Sequence, residues 1–452
     1  MERVKPRTLA GFMELLPERQ QLMEKMMEKL RESYSLYGFT PLDTPIIEAS
    51  EVLLAKGGGE TEKQIYRFLK GDTDLSMRFD LTVPLAKYVS MHHGTLTFPF
   101  RRFQIGKVYR GERTQRGRFR EFYQADIDII GDGTLEPVNE AEIPSIIYKT
   151  FTSLGLRRFK IKVNNRMLLN GFFEYAGVTN MAQIVMREID KLDKQGREKT
   201  LANLAEACGA EAAEKILGFI EISGSAAEKI DAISKYSGCN ERFDAGYESL
   251  RALVGYLADF GVPEENFELD FAIARGLDYY TGTVYETILT DHPEIGSICS
   301  GGRYDNLAEY YTDRALPGVG ISIGLTRLFY VLETEGYLND EIIASPADAL
   351  VIPMTDDLGF AIKAATAIRS AGVRASIYFE KKKFKAKIGY ADKLGIPYAI
   401  FIGEDEIASG TITVKQLATG NQWSADPGVA AARIAEELAP RRAAAPIKDK
   451  VK

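Results

Sequence analysis

VYRGERTQRGRFREFYQADID, Val108 to Asp128, is the stretch on which the reading of the chain turns. Its ends look like strands and its middle does not. FQIGKVYR (103–110), GERTQRGR (111–118) and FREFYQADIDII (119–130) read as strand, polar loop and strand, hence an antiparallel pair. From 110 to 120 the chain carries Arg110, Arg113, Arg116, Arg118 and Arg120, with Glu112 as the one acid. Guanidinium groups suit a polyphosphate, through bidentate charge-assisted hydrogen bonds. The plainer reading of this stretch alone is an exposed loop whose arginines pair with nearby acids. In the second strand, alternation puts Gln124, Asp126 and Asp128 on one face. A polar face on an otherwise apolar strand reads as a pocket, and the plainer reading is a solvated sheet face.

The surrounding chain narrows the classes. It has 452 residues, 45% hydrophobic and 27% charged, with a formal net charge of -7, as expected for a soluble globular protein of two or three domains. No run approaches the roughly 18 apolar residues of a membrane span, and MERVKPRTLAGFMELLPERQ lacks the apolar core of a secretory signal. Cys208, Cys239 and Cys299 are scattered, without metal-type spacing or a disulfide framework, which points to a reduced, cytoplasmic protein. The net charge disfavours non-specific nucleic-acid binding, so any such contact needs a local basic patch. There is no GxxxxGK[ST]; Gly57 to Glu60 lacks the lysine and hydroxyl of phosphate-binding loops and reads as a mobile loop.

Along the chain, 20–37 has helical periodicity, a hairpin is expected around Gly71-Asp72, and a helix from Thr82 or Val83. Residues 170–262 are helical in pattern and look like an insertion between β-rich segments. From about Asp348 strands and helices alternate (ALVIPM, LGFAIKAATAIRSAG, RASIYF, KIGYADKLG, YAIFIG, TITVKQL), the pattern of a small α/β domain with a partly parallel sheet. The tail from 438 reads as disordered.

Further stretches recur in a familiar order: RFDLT (78–82), VYR followed by RGRFREFYQ, ARGLDYYTGTVYE (274–286), GGRYD (301–305), GISIGLTRL (320–328) and KIGYADKLGIPYAIFIGEDE (387–406). In this set the chain resembles the histidyl-tRNA synthetases, of the class II aminoacyl-tRNA synthetases. The likeness covers nearly all of it except the tail and most of the helical insertion. The fold class it implies is α+β: a class II synthetase antiparallel sheet flanked by helices, a helical insertion, and a C-terminal α/β anticodon-binding domain. The expected domains are a catalytic domain over 1–335, with the insertion at about 170–262, and an anticodon-binding domain over 347–430. The implied function is histidine–tRNA ligase. Histidine is activated with ATP to histidyl-adenylate and transferred to the 3′ end of histidine tRNA, releasing pyrophosphate and AMP. The implied partners are L-histidine, ATP, histidine tRNA and a second copy of the chain in a homodimer, with no membrane.

The resemblance also implies roles. Arg275 and Arg110 are the catalytic residues at the α-phosphate, and Arg118 reaches the γ-phosphate. Glu112 lies at the adenine edge, and Phe122 and Arg327 sandwich the ring. Asp80, Thr82 and Gln124 take the α-amino group of histidine, and Asp128 and Tyr280 its imidazole. Mg2+ bridges the phosphates; no metal site from protein side chains alone is expected. Tyr304 is a candidate lining residue, Arg303 either lines the pocket or fixes a turn, and Asp278 pairs with an arginine as readily as it meets substrate. Tyr279 is expected to point away from Tyr280 and to pack. Pro45 resembles the proline of the class II dimer interface. The lysines between 381 and 387 are either a solvated face or a phosphate contact. Thr326 stands where the family often has an acid before the arginine, and the 5–18 segment is longer than usual. The alternative is the regulatory paralogue of ATP phosphoribosyltransferase, catalytically inactive on the same fold. It is disfavoured by the presence of both Arg275 and the C-terminal domain.

Overall fold

The computed structural model describes residues 3–55, 60–115, 117–273, 279–338, 347–443 and 446–447. The chain divides into two compact units. One is Met1–Glu14 with Met27–Gly336, and the other is Leu15–Met26 with Tyr337–Lys452.

The strands of the first unit are β1 (Thr40–Pro41), β2 (Ile47–Ala49), β3 (Arg67–Lys70), β4 (Thr73–Met77), β5 (Phe100–Tyr109), β6 (Glu121–Ile130), β7 (Phe159–Asn165), β8 (Phe267–Leu269), β9 (Thr283–Leu289), β10 (Cys299–Tyr304) and β11 (Gly318–Gly324). Eight form one sheet in the order β1-β5-β6-β11-β10-β9-β7-β8. Its six inner strands are antiparallel, and only the short edge strands β1 and β8 run parallel to their neighbours. β2, β4 and β3 make a second, small antiparallel sheet. The hairpin expected at Gly71-Asp72 joins β3 to β4, with Gly71 at φ 61, where a side chain would be strained.

Strand β6 places the rest. Along β6, Ala125, Ile127 and Ile129 are fully buried on one face. The helix Val138–Leu154 packs on the same sheet and buries Ile143, Ile146, Ile147 and Phe151. Gln124, Asp126 and Asp128 occupy the other face and open into a cavity. Burial of the apolar set fixes the register, because a one-residue slip would exchange the two faces.

Between β7 and β8 the chain is helical, from Arg166–Tyr175 to Glu241–Asp259. Asparagines set where these two helices start. Asn165 Oδ1 accepts from Met167 N at 2.8 Å, and Asn240 Oδ1 from Phe243 N at 2.8 Å, satisfying amides that a first turn leaves open. The two helices meet at glycines. A Cβ on Gly171 would lie 2.3 Å from Phe243 N, and one on Gly246 2.2 Å from Leu168 N.

In the second unit, β12 (Ala349–Pro353), β13 (Ala375–Ile377), β14 (Tyr398–Ile402), β15 (Ile412–Gln416) and β16 (Gln422–Ala425) form a sheet in the order β13-β12-β14-β15-β16. The pairs around β12 are parallel and the rest antiparallel. ALVIP is apolar throughout because β12 is covered on both sides. Val351 joins a core with Ala364, Ile368 and Ile434, and Leu350 and Ile352 join another with Ala391 and Ile396. The tail expected to be disordered from 438 is helical as far as Ala443, in the helix Pro427–Ala443. Leu438 extends the apolar stripe of Ala430, Ala431 and Ile434 and is buried with it.

The helix crossing makes a test with an internal control. Gly246→Ala should lower the thermal-unfolding midpoint, the overpacking costing about 1–3 kcal/mol. Gly255→Ala, on the same helix with open space around it, should raise it, by roughly 0.5–1 kcal/mol. Calorimetry of both variants would show shifts of opposite sign, and a common sign would rule out the tight crossing.

Candidate active site

A cavity of about 380 Å3 opens on the polar face of the large sheet. That is the scale of a site for a small ligand, roughly 300–1,000 Å3. Its lining includes Asp80, Thr82, Arg110, Glu112, Arg118, Phe122, Gln124, Asp128, Tyr280, Tyr304 and Arg327, drawn from positions as far apart as 80 and 327. All were singled out from sequence. Arg275, Asp278 and Arg116 lie outside the described residues.

One end of the cavity is acidic and deeply buried. β5 and β6 are in register with Arg102 opposite Asp128 and Gln104 opposite Asp126. Arg102 Nη2 lies 2.6 Å from Asp128 Oδ2, with neither residue appreciably exposed. The Tyr304 hydroxyl donates to Asp128 Oδ1 at 2.6 Å. Gly320 makes room for this carboxylate: a Cβ there would sit 2.3 Å from Asp128 Oδ1. Burial pushes Asp128 up to about 6, against the charge of Arg102 and the bond from Tyr304. Burial also pushes Asp126 up to about 7, helped by the charge of Asp128 and opposed by Arg102. Burial and then the charge of Asp128 push Tyr280 far up, so its hydroxyl keeps a proton to donate.

Hydrogen-bonding capacity is left over here. Gln124 Nε2 donates to Ser322 Oγ at 2.6 Å, which orients the amide, while Gln124 Oε1 is buried with no partner. Asp126 Oδ1 is likewise buried and unpartnered. Buried polar atoms without partners are rare in folded proteins. Asp80 sits where the chain enters the helix Thr82–His92, its Oδ1 accepting from Val83 N at 2.9 Å and Thr82 N at 3.2 Å. Burial raises its pKa in spite of these bonds and the charge of Arg110.

The other end is cationic and more open. Arg110 donates through Nε to Phe79 O at 3.1 Å, and its guanidinium lies 4.3 Å from the Phe79 ring centroid and 5.1 Å from that of Phe122. Glu112 lies between arginines, 3.9 Å from Arg110 and 3.7 Å from Arg118. Arg118 is half exposed. The carbonyl of Gly11 accepts from Arg120 N at 2.7 Å, tying the N-terminal segment to the end of the loop. Arg327 reaches the cavity from the helix Leu325–Thr334 and donates to the Ile295 carbonyl. Thr326, where an acid is common, is buried, and its Oγ1 accepts from Tyr123 N at 2.8 Å. It holds the helix to the start of β6.

Tyr279 packs as expected, against the cluster around Leu85 and Tyr304, but it does not point away from Tyr280. Residues 279–280 precede β9 and are not strand, so alternation does not apply. Tyr279 lines the cavity beside Tyr280, ring centroids 5.0 Å apart, and shares a hydrogen bond with Thr82. Arg303 fixes structure. It binds Glu140 Oε1 at 2.8 Å, Asp305 Oδ1 at 2.9 Å and the Leu135 carbonyl at 3.1 Å. The sequence by itself assigns no role to Arg102, Phe79 or Ser322, all of which shape the cavity or hold its residues. A signal existed for Arg102: FRRFQ puts Arg102 and Gln104 two apart, polar on one strand face, like Asp126 and Asp128 opposite.

Known proteins resemble this chain in sequence and in fold. The family profile described as histidyl-tRNA synthetase matches residues 11–328, and that of an anticodon-binding domain matches 348–437. The histidine–tRNA ligase of Clostridium tetani is 55% identical over 423 residues, covering 93% of this chain and 96% of the relative. The crystal structure of histidyl-tRNA synthetase from Nostoc sp. PCC 7120 is similar with a TM-score of 0.88 at 37% identity, covering 96% of this chain and all of that one. A Bacillus halodurans structure described as an ATP phosphoribosyltransferase regulatory subunit/histidyl-tRNA synthetase has a TM-score of 0.71 at 20% identity, covering 86% of this chain and 97% of that one, a likeness of fold.

The Asp126 carboxyl supplies a stability test. Its native pKa of about 7 lies above the unfolded value of about 3.9. Between these values the folded chain holds a proton that the unfolded chain has lost, so stability falls as pH rises through the window. Asp126→Asn removes that titration. The unliganded variant should gain most in unfolding midpoint over wild type near pH 8, and the gain should shrink toward pH 4. An equal difference at both pH values would contradict the desolvated carboxyl.

Proposed function

The chain belongs to the histidyl-tRNA synthetase family, and from that premise we propose how its residues divide the work of a histidine–tRNA ligase. The reaction joins histidine to ATP. A carboxylate oxygen bonds to the α-phosphorus, the bond to the β-phosphate bridge breaks, and pyrophosphate leaves. The tRNA 3′-terminal hydroxyl then attacks the adenylate carbonyl, and AMP leaves. Both steps develop negative charge on phosphate oxygens, so catalysis rests on positioning and on cations placed in advance. The observation that carries the assignment is one cavity with a buried acidic end and a cationic end.

In this reading the cationic end takes the triphosphate. Arg110, fixed by Phe79, meets the α-phosphate and the reacting carboxylate, with Arg275 opposite. Arg118, exposed and loosely paired with Glu112, turns to the γ-phosphate. Phe122 and Arg327 enclose the adenine, and Glu112 meets its edge. Mg2+ would accompany the triphosphate and offset part of its negative charge. The acidic end takes histidine. Asp80, Thr82 and the unpartnered Gln124 Oε1 suit an ammonium group, which only donates. Asp128 and Tyr280 face the imidazole, with Tyr304 holding Asp128 in place.

The domain assignment follows the same reading: a catalytic domain over 1–335 carrying the helical insertion at 170–262, and an anticodon-binding domain over 347–430. Lys381, Lys382, Lys383 and Lys385 are exposed and suit tRNA phosphates. Lys387 is spent on the Pro353 carbonyl at 2.8 Å. A homodimer is supported by Pro45, Ile46, Ile47, Phe68 and Leu69, exposed on and beside the small sheet. No helix among the described residues is long and apolar enough to cross a membrane, and the reading places the enzyme in the cytoplasm.

ATP–pyrophosphate exchange with each amino acid in turn is the test. Exchange should depend on histidine alone and fall by roughly 10²–10³-fold or more in Arg275→Ala and Arg110→Ala. A folded protein without histidine-dependent exchange would point to the regulatory paralogue instead. Exchange that survives Arg275→Ala would reassign the catalytic arginine.

A further inference from the structure

Two carboxylates and one guanidinium meet at the acidic end, and their contacts are unequal. Asp128 is engaged on both oxygens, by Arg102 and by Tyr304. Asp126, two residues earlier on the same face, lines the cavity, is 2% exposed, and has nothing on Oδ1. The nearby Ser322 hydroxyl, which accepts from Gln124, works against the rise in its pKa. Gln104, its register partner on β5, spends its amide on Asp43 and Thr44. A buried carboxylate oxygen left bare costs free energy unless a ligand donor covers it.

Resting on the reading above, with Tyr280 lining the pocket beside the ring rather than bonding to a ring nitrogen, we propose that Asp126 is a specificity-determining residue that accepts a ring N–H of bound histidine, so that the side chain is held as imidazolium between Asp126 and Asp128. The charge balance favours this. Within the floor, Arg102 is the guanidinium that acts most on Asp126 and Asp128, and Asp126 also interacts with Arg78 and Arg110. Asp80 adds a further acid, to which Arg110 is the counter-charge, and Arg78 is paired with Asp43 at 3.5 Å. Tyr34, Tyr280 and Cys299, which also feel Asp126, are pushed up by burial and stay neutral. The floor therefore lacks one positive charge, and an imidazolium supplies it with donors on both nitrogens. Burial brings Asp126 to about 7, near the ~6.5 of a free imidazole. A proton held by Asp126 in the empty pocket can thus pass to the ring of arriving neutral histidine: the O–H bond breaks, an N–H bond forms, and net charge is unchanged. A side chain that offers no second donor leaves Asp126 bare and is rejected.

Ring-15N L-histidine bound to the wild-type protein reads this directly. At about pH 8, above the ~6.5 of the free ring, both bound ring nitrogens should resonate as protonated. An unprotonated ring nitrogen in that complex would overturn the proposal, and the reading needs no variant. In Asp126→Asn, the KM for histidine in pyrophosphate exchange should rise roughly ten- to a hundredfold while that for ATP stays within about twofold. An unchanged KM for histidine in the folded variant would also overturn it. Failure of the ligase reading looks different: the wild-type protein would then show no histidine-dependent exchange.

Discussion

The ion pair between Arg102 and Asp128, sealed from water between β5 and β6, is the constraint on which the site depends. Removing one member of such a pair leaves an uncompensated buried charge and costs about 3–5 kcal/mol. Its geometry needs the two strands in register, so that Arg102 and Asp128 stand opposite each other. It needs Tyr304, from β10, to hold the second oxygen of Asp128. It needs β11 to pass with no side chain at Gly320, where a Cβ would strike that carboxylate. Four adjacent strands are therefore committed to one carboxylate, and the cavity takes its shape from them.

Stability alone would not build this floor. Asp80, Asp126 and Asp128 are drawn out of water and raised by burial, which disfavours the folded state at neutral pH. The cost is offset on the opposite face of the same strands. There Ala125, Ile127 and Ile129 are fully buried, and the helix Val138–Leu154, which packs on the neighbouring β11, buries its isoleucines and Phe151. Each fully buried side chain of that size contributes roughly 1.5–3 kcal/mol. One strand thus carries both terms, alternating residue by residue, and its apolar half holds the polar half in place.

The arginine end follows a different logic. Arg118 and Glu112 are partly solvated and 3.7 Å apart, a pairing weak enough to exchange for a ligand phosphate. Arg110 is anchored, by a carbonyl and by two aromatic rings. A fixed guanidinium next to a loosely paired one is an arrangement suited to an anionic ligand.

Much of this was legible in the chain itself. Period-two alternation placed Gln124, Asp126 and Asp128 on one face and the isoleucines on the other, since a strand presents successive side chains to opposite sides. The arginine loop between two strands and the ordered motifs indicated the family and the antiparallel sheet. Legibility failed where contacts join distant segments. Tyr279 lies beside Tyr280, against period-two alternation, because both residues precede the strand. The tail looks loose in sequence because the one buried leucine that prolongs its helix shows no periodicity by itself. Local sequence determined which side chains share a face and which loop is cationic, because these follow from backbone geometry within a few residues. Only the tertiary structure decided that Asp128 is already spent on Arg102 and Tyr304 while Asp126 and Gln124 keep bare oxygens. Which polar atom is satisfied depends on strands brought together from positions 102 to 322, and no short-range pattern encodes it.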